Sequence, residues 1–371
     1  MYCADCESID DYFFDTTYFW LFLPTLETFS KVAGLCGSMD INATQQSDHC
    51  ISCVVERPAI QKFIMSINGA LESKEKENTK VTTACHDGAP SIDDMGRIVT
   101  LEILVNRYQA KWLIDSIEKE RYETWFQPII DARDESVFAH EGLFRVRDSD
   151  DSIVPPALAF KLAEKSDLLF SLDLVPRRSA VECAARGKLN SKLFINFNPS
   201  SIYDPSYCLR ATAAAINEIG LSPSDIVFEV TETHRADDLN HLKGILAFYR
   251  NAGFQIALDD IGSGWSGLNL LQSLRPDFVK IDMELVRGVH NDAYKQNIVN
   301  SLIQIANRSG IEVIAEGVET EDEASWLKNA KADYLQGYLY GRPAPLSTQT
   351  LSAEEAQQID QKMNPLKAAA K

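Results

Sequence analysis

From residue 122 onward the chain alternates short apolar runs with amphipathic stretches of helical period. The runs that read as strands are WFQPII, VFAHEGLFRV, KLFINFN, IVFEVTE, QIALDD, FVKID, EVIAEG and DYLQGY, with helical patterns between nearly all of them. Eight such units in about 230 residues predict an α/β protein with a (β/α)8 barrel of the TIM type. An open doubly wound sheet fits less well, because no glycine-rich dinucleotide fingerprint follows the first strand.

Before the barrel the pattern differs. The run TTYFWLFLP precedes a helical stretch, LETFSKVAGL, and the apolar CISCVV precedes a second helical stretch from Ala59 to Ser73. This predicts a small α+β domain over residues 1–90. A linker and connecting helix over 91–121 follow, with Leu101, Leu104, Tyr108 and Trp112 at steps of three or four. The barrel is expected over 122–350, and 351–371 reads as a polar tail.

A barrel brings the ends of its strands to one mouth. Glu141, Asn196, Glu229, Asp259, Asp260, Lys280, Glu316 and Gln336 all lie in or at the ends of the strand candidates. Carboxylates gathered there raise one another's pKa unless cations neutralise them. The candidate ligands are oxygen donors, with no His or Cys among them, which favours Mg or Mn over Zn or Cu. The adjacency of Asp259 and Asp260 then has a purpose: one bridges two ions while the other holds the second. Two such ions about 3.5 to 4 Å apart orient and deprotonate a water for in-line attack on a phosphodiester. Lys280 would neutralise or orient that water; as an isolated residue it would read as a plain ion-pair partner. His140 reads as a packing or capping residue, because a two-ion site needs no imidazole.

The formal net charge of −18 excludes a nucleic-acid backbone or an anionic membrane as an electrostatic partner. The run YFWLFLP is shorter than the roughly 20 apolar residues of a membrane span. No Lys or Arg precedes Lys31, so a secretion signal is not expected and the chain reads as cytoplasmic.

The segments EGLFR (141–145), INFNPS (195–200), FEVTE (228–232), DDIGSGWSGL (259–268), VKID (279–282), AEGVET (315–320) and LQGYLYGRP (335–343) resemble the EAL family of cyclic di-GMP phosphodiesterases, over residues 122–347. The resemblance implies hydrolysis of cyclic di-GMP to linear pGpG with two Mg or Mn ions, on a barrel that commonly forms a homodimer. By position, Glu141, Asn196, Glu229 and Asp259 would hold the first ion, and Asp259, Asp260 and Glu316 the second. Lys280 would assist the attacking water, Glu232 and Gln336 would support the site, and Glu319 would anchor the loop after Asp260. Arg145 would grip a substrate phosphate and Gln127 would line the nucleotide pocket. Asn198 competes with Asn196, and the Asn-x-polar pattern favours Asn196. The chain departs from the usual family pattern at Gly142, Ile261 and Trp265. The alternative function is a receptor that binds the dinucleotide without cutting it.

The cysteines cluster at the front. Cys3 with Cys6, and Cys50 with Cys53, form two CxxC pairs whose spacing suits Zn ligation. Strand alternation within CISCVV opposes this, and buried free thiols are an equal alternative to zinc or redox chemistry. The front domain is expected to regulate the barrel through the connecting helix.

Overall fold

The computed structural model describes residues 12–166, 169–198, 216, 221–231, 239–262 and 267–346. The chain divides into two compact units, Met1–Arg121 with Val146–Leu172, and Tyr122–Arg145 with Asp173–Lys371.

The first unit carries a sheet of β1 (Thr16–Phe22), β2 (Ala43–Ser47), β3 (Cys50–Glu56), β4 (Lys80–Ala84) and β5 (Val99–Thr100), in the order β2-β3-β1-β4-β5. Neighbours are antiparallel throughout. With the helices Leu26–Ser38 and Ile60–Ala70 this is the ferredoxin-like β-α-β-β-α-β order, with β5 added at one edge. Period-two alternation sends Phe19 and Leu21 of β1 into a core shared with Val32 and Cys36 of the first helix and Phe63, Ile64 and Ile67 of the second. Thr25 caps the first helix by accepting the Thr28 N–H at 3.1 Å.

The connecting segment differs from expectation. Instead of one helix there are two, Leu101–Gln109 and Lys111–Glu118, meeting at the fully buried Ala110. The break moves the buried stripe off the Tyr108–Trp112 line, so that Leu113 is buried and Trp112 is not. Within the same unit the buried Arg107 donates to the Ser166 carbonyl at 3.0 Å and to the Tyr12 hydroxyl at 3.2 Å.

The second unit is a closed barrel of eight strands: β6 (Tyr122–Asp131), β7 (Val137–Arg147), β9 (Lys192–Asn196), β10 (Ile226–Thr231), β11 (Gln255–Ile261), β12 (Phe278–Ile281), β13 (Glu312–Ala315) and β14 (Tyr334–Gln336). A short strand, β8 (Ile153–Val154), pairs with the far end of β7. The order is β6-β14-β13-β12-β11-β10-β9-β7, and pairing of β6 with β7 closes it. In the barrel, β7 and the strands from β9 to β14 run parallel to their neighbours, but β6 is antiparallel to β14, as the short β8 is to β7. The regular strand–helix repeat therefore fails at its first step. The connection from Asp131 to Val137 is too short for a parallel crossover. It turns tightly on Asp131, whose carboxylate accepts the Arg133 N–H at 2.9 Å, and on Glu135 at φ 61°.

Each parallel strand is buried on both faces, which is why its sequence reads as an apolar run. In β10, Ile226, Phe228 and Val230 pack outward into the layer under the helices, while Val227 points to the barrel axis. The axial layer is complete around the barrel: Ile129, Ala139, Phe194, Val227, Ala257, Phe278, Ile314 and Tyr334. Among the described residues no helix is long and apolar enough to cross a membrane.

Candidate active site

The site is the next layer of the same barrel. Two residues beyond each axial apolar residue, alternation returns the chain to the axis, and there the side chains become polar. Ala139 is followed by Glu141, Phe194 by Asn196, Val227 by Glu229, Ala257 by Asp259, Phe278 by Lys280, Ile314 by Glu316 and Tyr334 by Gln336. On the reversed β6 the same step runs backwards, from Ile129 to Gln127. Asn196, in this layer, donates to Glu141 Oε1 at 3.0 Å.

Lys280 is the hub. Its ammonium lies 2.7 Å from Glu229, 2.6 Å from Glu316, and 3.3 Å from both Glu141 and Asp259, with the side chain 1% exposed. Gln336 donates to Glu141 Oε2 at 2.7 Å and stands 3.4 Å from Gln127, which in turn donates to the Gly341 carbonyl at 3.1 Å. Burial pushes the Glu229 and Glu316 carboxyls well above their ordinary range. Burial also acts on Glu141, but Lys280 and hydrogen bonds from Gln336 and Asn196 outweigh it and hold that carboxyl low. Burial works against the charge of Lys280 too, and the four surrounding carboxylates overcome it, so its pKa lies above the usual lysine value. Lys280 is thus a fixed cation and donor, not a base.

Adjacent residues of a regular strand face opposite sides. At the end of β11 the register with β12 shifts between Leu258 and Ile261, and Asp260 takes a left-handed φ of 58°. This bulge brings both aspartates to one place. Carboxylate oxygens of Asp259, Asp260 and Glu316 lie within 4.8 Å of one another. Burial, then the Asp259 charge, raise Asp260 to about 6. Among the described residues, none donates a hydrogen bond to the buried Glu229 Oε2 or Gln336 Oε1. Burial and crowding thus push several of these carboxyls toward their neutral form, and a bound cation would be needed to hold them all ionised together. The oxygen-only donor set, the three-carboxylate cluster and the orphaned Glu229 oxygen fit hard divalent cations.

Above the layer opens a cleft of about 220 Å³, lined by Gln127, Glu141, Asp260, Glu316, Glu319 and Gln336 from the sequence-derived set. Leu143, Asp282, Met283, Arg287 and Tyr338 also line it and were not singled out from sequence. Asp282, directly after Lys280-Ile281, carried a signal in the motif VKID; it also caps the helix Met283–Val286 by accepting the Glu284 N–H at 2.7 Å. Arg145, two alternations beyond Glu141 on β7, lies over the Trp125 ring with its guanidinium carbon 5.2 Å from the centroid. Glu319 pairs with Arg287 at 2.5 Å. His140 is bonded to Ser191 at 2.9 Å, as a packing residue would be, and Ile261 is buried. Glu232, Trp265, Cys3 and Cys6 lie outside the described residues.

Cys50 and Cys53 occupy an unbroken β3, three positions apart and therefore on opposite faces. Cys53 enters the front core, where Cys36 is its hydrogen-bond partner. The two sulfurs of this CxxC do not converge on a common point.

The EAL domain model matches residues 110–343. An uncharacterised signalling protein of Caulobacter vibrioides is 33% identical over 246 residues, which is 66% of this chain and 30% of that protein. The cyclic di-GMP phosphodiesterase PdeL of Escherichia coli K12 is 27% identical over 233 residues, 62% of this chain and 64% of that protein. The chain thus spans less than two thirds of the length of these relatives. A cyclic di-GMP-bound crystal structure of a standalone EAL protein from Vibrio cholerae O395 superposes with a TM-score of 0.56 at 36% identity, covering 63% of this chain and 97% of that one. With its barrel, its polar axial layer and a family match over more than half its length, the chain belongs to the EAL-domain family.

Proposed function

We propose that the barrel hydrolyses one phosphodiester bond of cyclic di-GMP, giving linear pGpG, with two divalent cations, Mg or Mn, as cofactors. The observation that carries this reading is the axial layer itself, in which Glu141, Glu229, Asp259 and Glu316 surround Lys280 and Asp260 joins the cluster. Glu141, Asn196, Glu229 and Asp259 would hold one cation, and Asp259, Asp260 and Glu316 the other. When bound, the pair supplies Lewis-acid activation of water and charge neutralisation at the phosphate.

The chain's own residues do the rest. Lys280, held protonated, orients the attacking water by donation and offsets charge gathering on the phosphoryl oxygens. Gln336 and Asn196 fix the Glu141 carboxylate from two sides. Arg145, carried on β7 with its guanidinium over Trp125 and bonded to the Phe144 carbonyl, does not line the cleft itself and would have to turn from these partners to meet an anionic substrate. As the water oxygen bonds to phosphorus, the P–O3′ bond breaks. The products are a 5′-phosphate and a free 3′-hydroxyl. Relatives and neighbours named for cyclic di-GMP support the substrate.

The test is chromatographic detection of pGpG after incubation of the full chain with cyclic di-GMP, with and without Mn or Mg, beside Glu141→Gln. Metal-dependent pGpG release that the variant loses is expected. Tight binding with no turnover under any metal would assign the chain instead to dinucleotide receptors.

A further inference from the structure

In the closed barrel β7 and β12 stand on opposite sides, four strands apart by either route. From β7 comes Arg145. From β12 the chain continues through Asp282 and the helix Met283–Val286 to Arg287. Among the described residues lining the cleft, Arg287 is the one cation; the other charged groups, Glu141, Asp260, Asp282, Glu316 and Glu319, are acids.

The backbone at Arg287 is fixed on every side. Its N–H donates to the Met283 carbonyl at 2.9 Å, and its own carbonyl accepts the Lys295 ammonium at 2.7 Å. The next residue, Gly288, sits at φ 69° and donates its N–H to Glu323 at 2.7 Å. The side chain, by contrast, is 49% exposed and, among the described residues, makes one ion pair, from Nη2 to Glu319, itself 41% exposed. An ion pair this exposed is weak. It aims the guanidinium while leaving Nε and Nη1 for a ligand, and a guanidinium suits the planar, bidentate recognition of phosphate.

A cyclic dinucleotide carries two phosphodiesters on opposite sides of its ring. With one over the carboxylate layer, the other would meet Asp282 and Glu319 unless a cation stood there. We infer that Arg287 is a substrate-binding residue that receives the phosphate that is not cut, exchanging its contact with Glu319 for that group. This rests on the cyclic dinucleotide reading given above.

The experiment compares wild type, Arg287→Ala and Arg287→Lys on two substrates, cyclic di-GMP and bis(p-nitrophenyl) phosphate, which has a single phosphodiester and no second phosphate. For cyclic di-GMP, Arg287→Ala should raise KM about tenfold or more, as expected for losing a charge-assisted hydrogen bond, with a much smaller change in kcat. Arg287→Lys should lie between, because lysine offers a point charge without the fork. The single-phosphate substrate should suffer distinctly less. Equal losses on both substrates would show a structural role and overturn the inference, as would an unchanged KM for cyclic di-GMP. Calorimetric binding of cyclic di-GMP to the same full-length variants separates the two readings. Weaker binding to Arg287→Ala in a chain that cuts nothing would keep Arg287 and sink the hydrolase, whereas unchanged affinity would sink Arg287 alone.

Discussion

Asp260 donates its backbone N–H to the carboxylate of its own predecessor, Asp259 Oδ1, at 3.0 Å. The bond is possible because Asp260 sits at φ 58°, where the strand has bulged. It holds the Asp259 carboxylate while leaving the Asp260 side chain turned to the same cluster.

Asp260→Asn tests this arrangement, since asparagine tolerates the left-handed backbone and removes the charge. Turnover should fall about tenfold to a hundredfold, the range for disturbing metal ligation. Stability should move the other way in chelated protein. Burial and Asp259 raise Asp260 to about 6, so the native state binds this proton more tightly than the unfolded chain does. Stability is therefore lost as pH rises from the unfolded value of about 4, and the loss is complete above the native value. In EDTA the melting temperature of the variant should exceed that of wild type at about pH 7.5, and the gap should close towards about pH 4. A variant that melts below wild type at the higher pH would show that the pair attracts rather than strains.

Much of this site was readable from the sequence because a parallel barrel strand writes its inward step plainly. An apolar run that breaks at a polar residue, as FVKID breaks at Lys280 and QIALDD at Asp259, marks the layer where packing gives way to chemistry. Reversal of β6 was not readable, since alternation is the same in either direction along a strand. The front sheet was half hidden for another reason. β2 is ATQQS and β4 is KVTTA, too polar to stand out as apolar runs. Arg287 and Tyr338 lie beyond the strand ends, where position depends on how loops return over the mouth and not on period. Cys50 and Cys53 show the converse: a motif in the sequence that an unbroken strand pulls apart.

Lys280 carries the largest electrostatic burden. Lys280→Met keeps the volume of the chain and leaves Glu141, Glu229, Asp259 and Glu316 facing one another with no internal cation. Breaking a buried ion pair from one side typically costs about 3 to 5 kcal/mol. Urea unfolding in EDTA should show a loss of that order, and saturating Mn should return part of it while turnover stays lost. If the variant unfolds like wild type in EDTA, the carboxylates are already protonated and the hub has no electrostatic role.

Gly337 tests how tightly the loop bearing Glu316 is bound to the barrel. A Cβ at this glycine would stand 2.0 Å from the Val318 carbonyl oxygen and 2.3 Å from its nitrogen, both backbone atoms with nowhere to yield. The approach is held by Val318 N–H to the Gln336 carbonyl at 3.0 Å and Leu339 N–H to the Val318 carbonyl at 3.1 Å. Gly337→Ala must part these two loop segments, at a cost of about 1 to 3 kcal/mol or more. It should also displace Glu316, two residues before Val318, and so weaken Mn affinity about tenfold or more. Gly244→Ala is the matched control, because among the described residues no atom beyond its chain neighbours and its own helix backbone lies within 4 Å of its Cβ position. Within the helix Leu239–Asn251 that exchange should stabilise by about 0.5 to 1 kcal/mol. Thermal melts and Mn titration of the two variants separate the cases. Equal behaviour would mean that the 316–319 loop is free to move and that the second half of the ligand set is not built in advance.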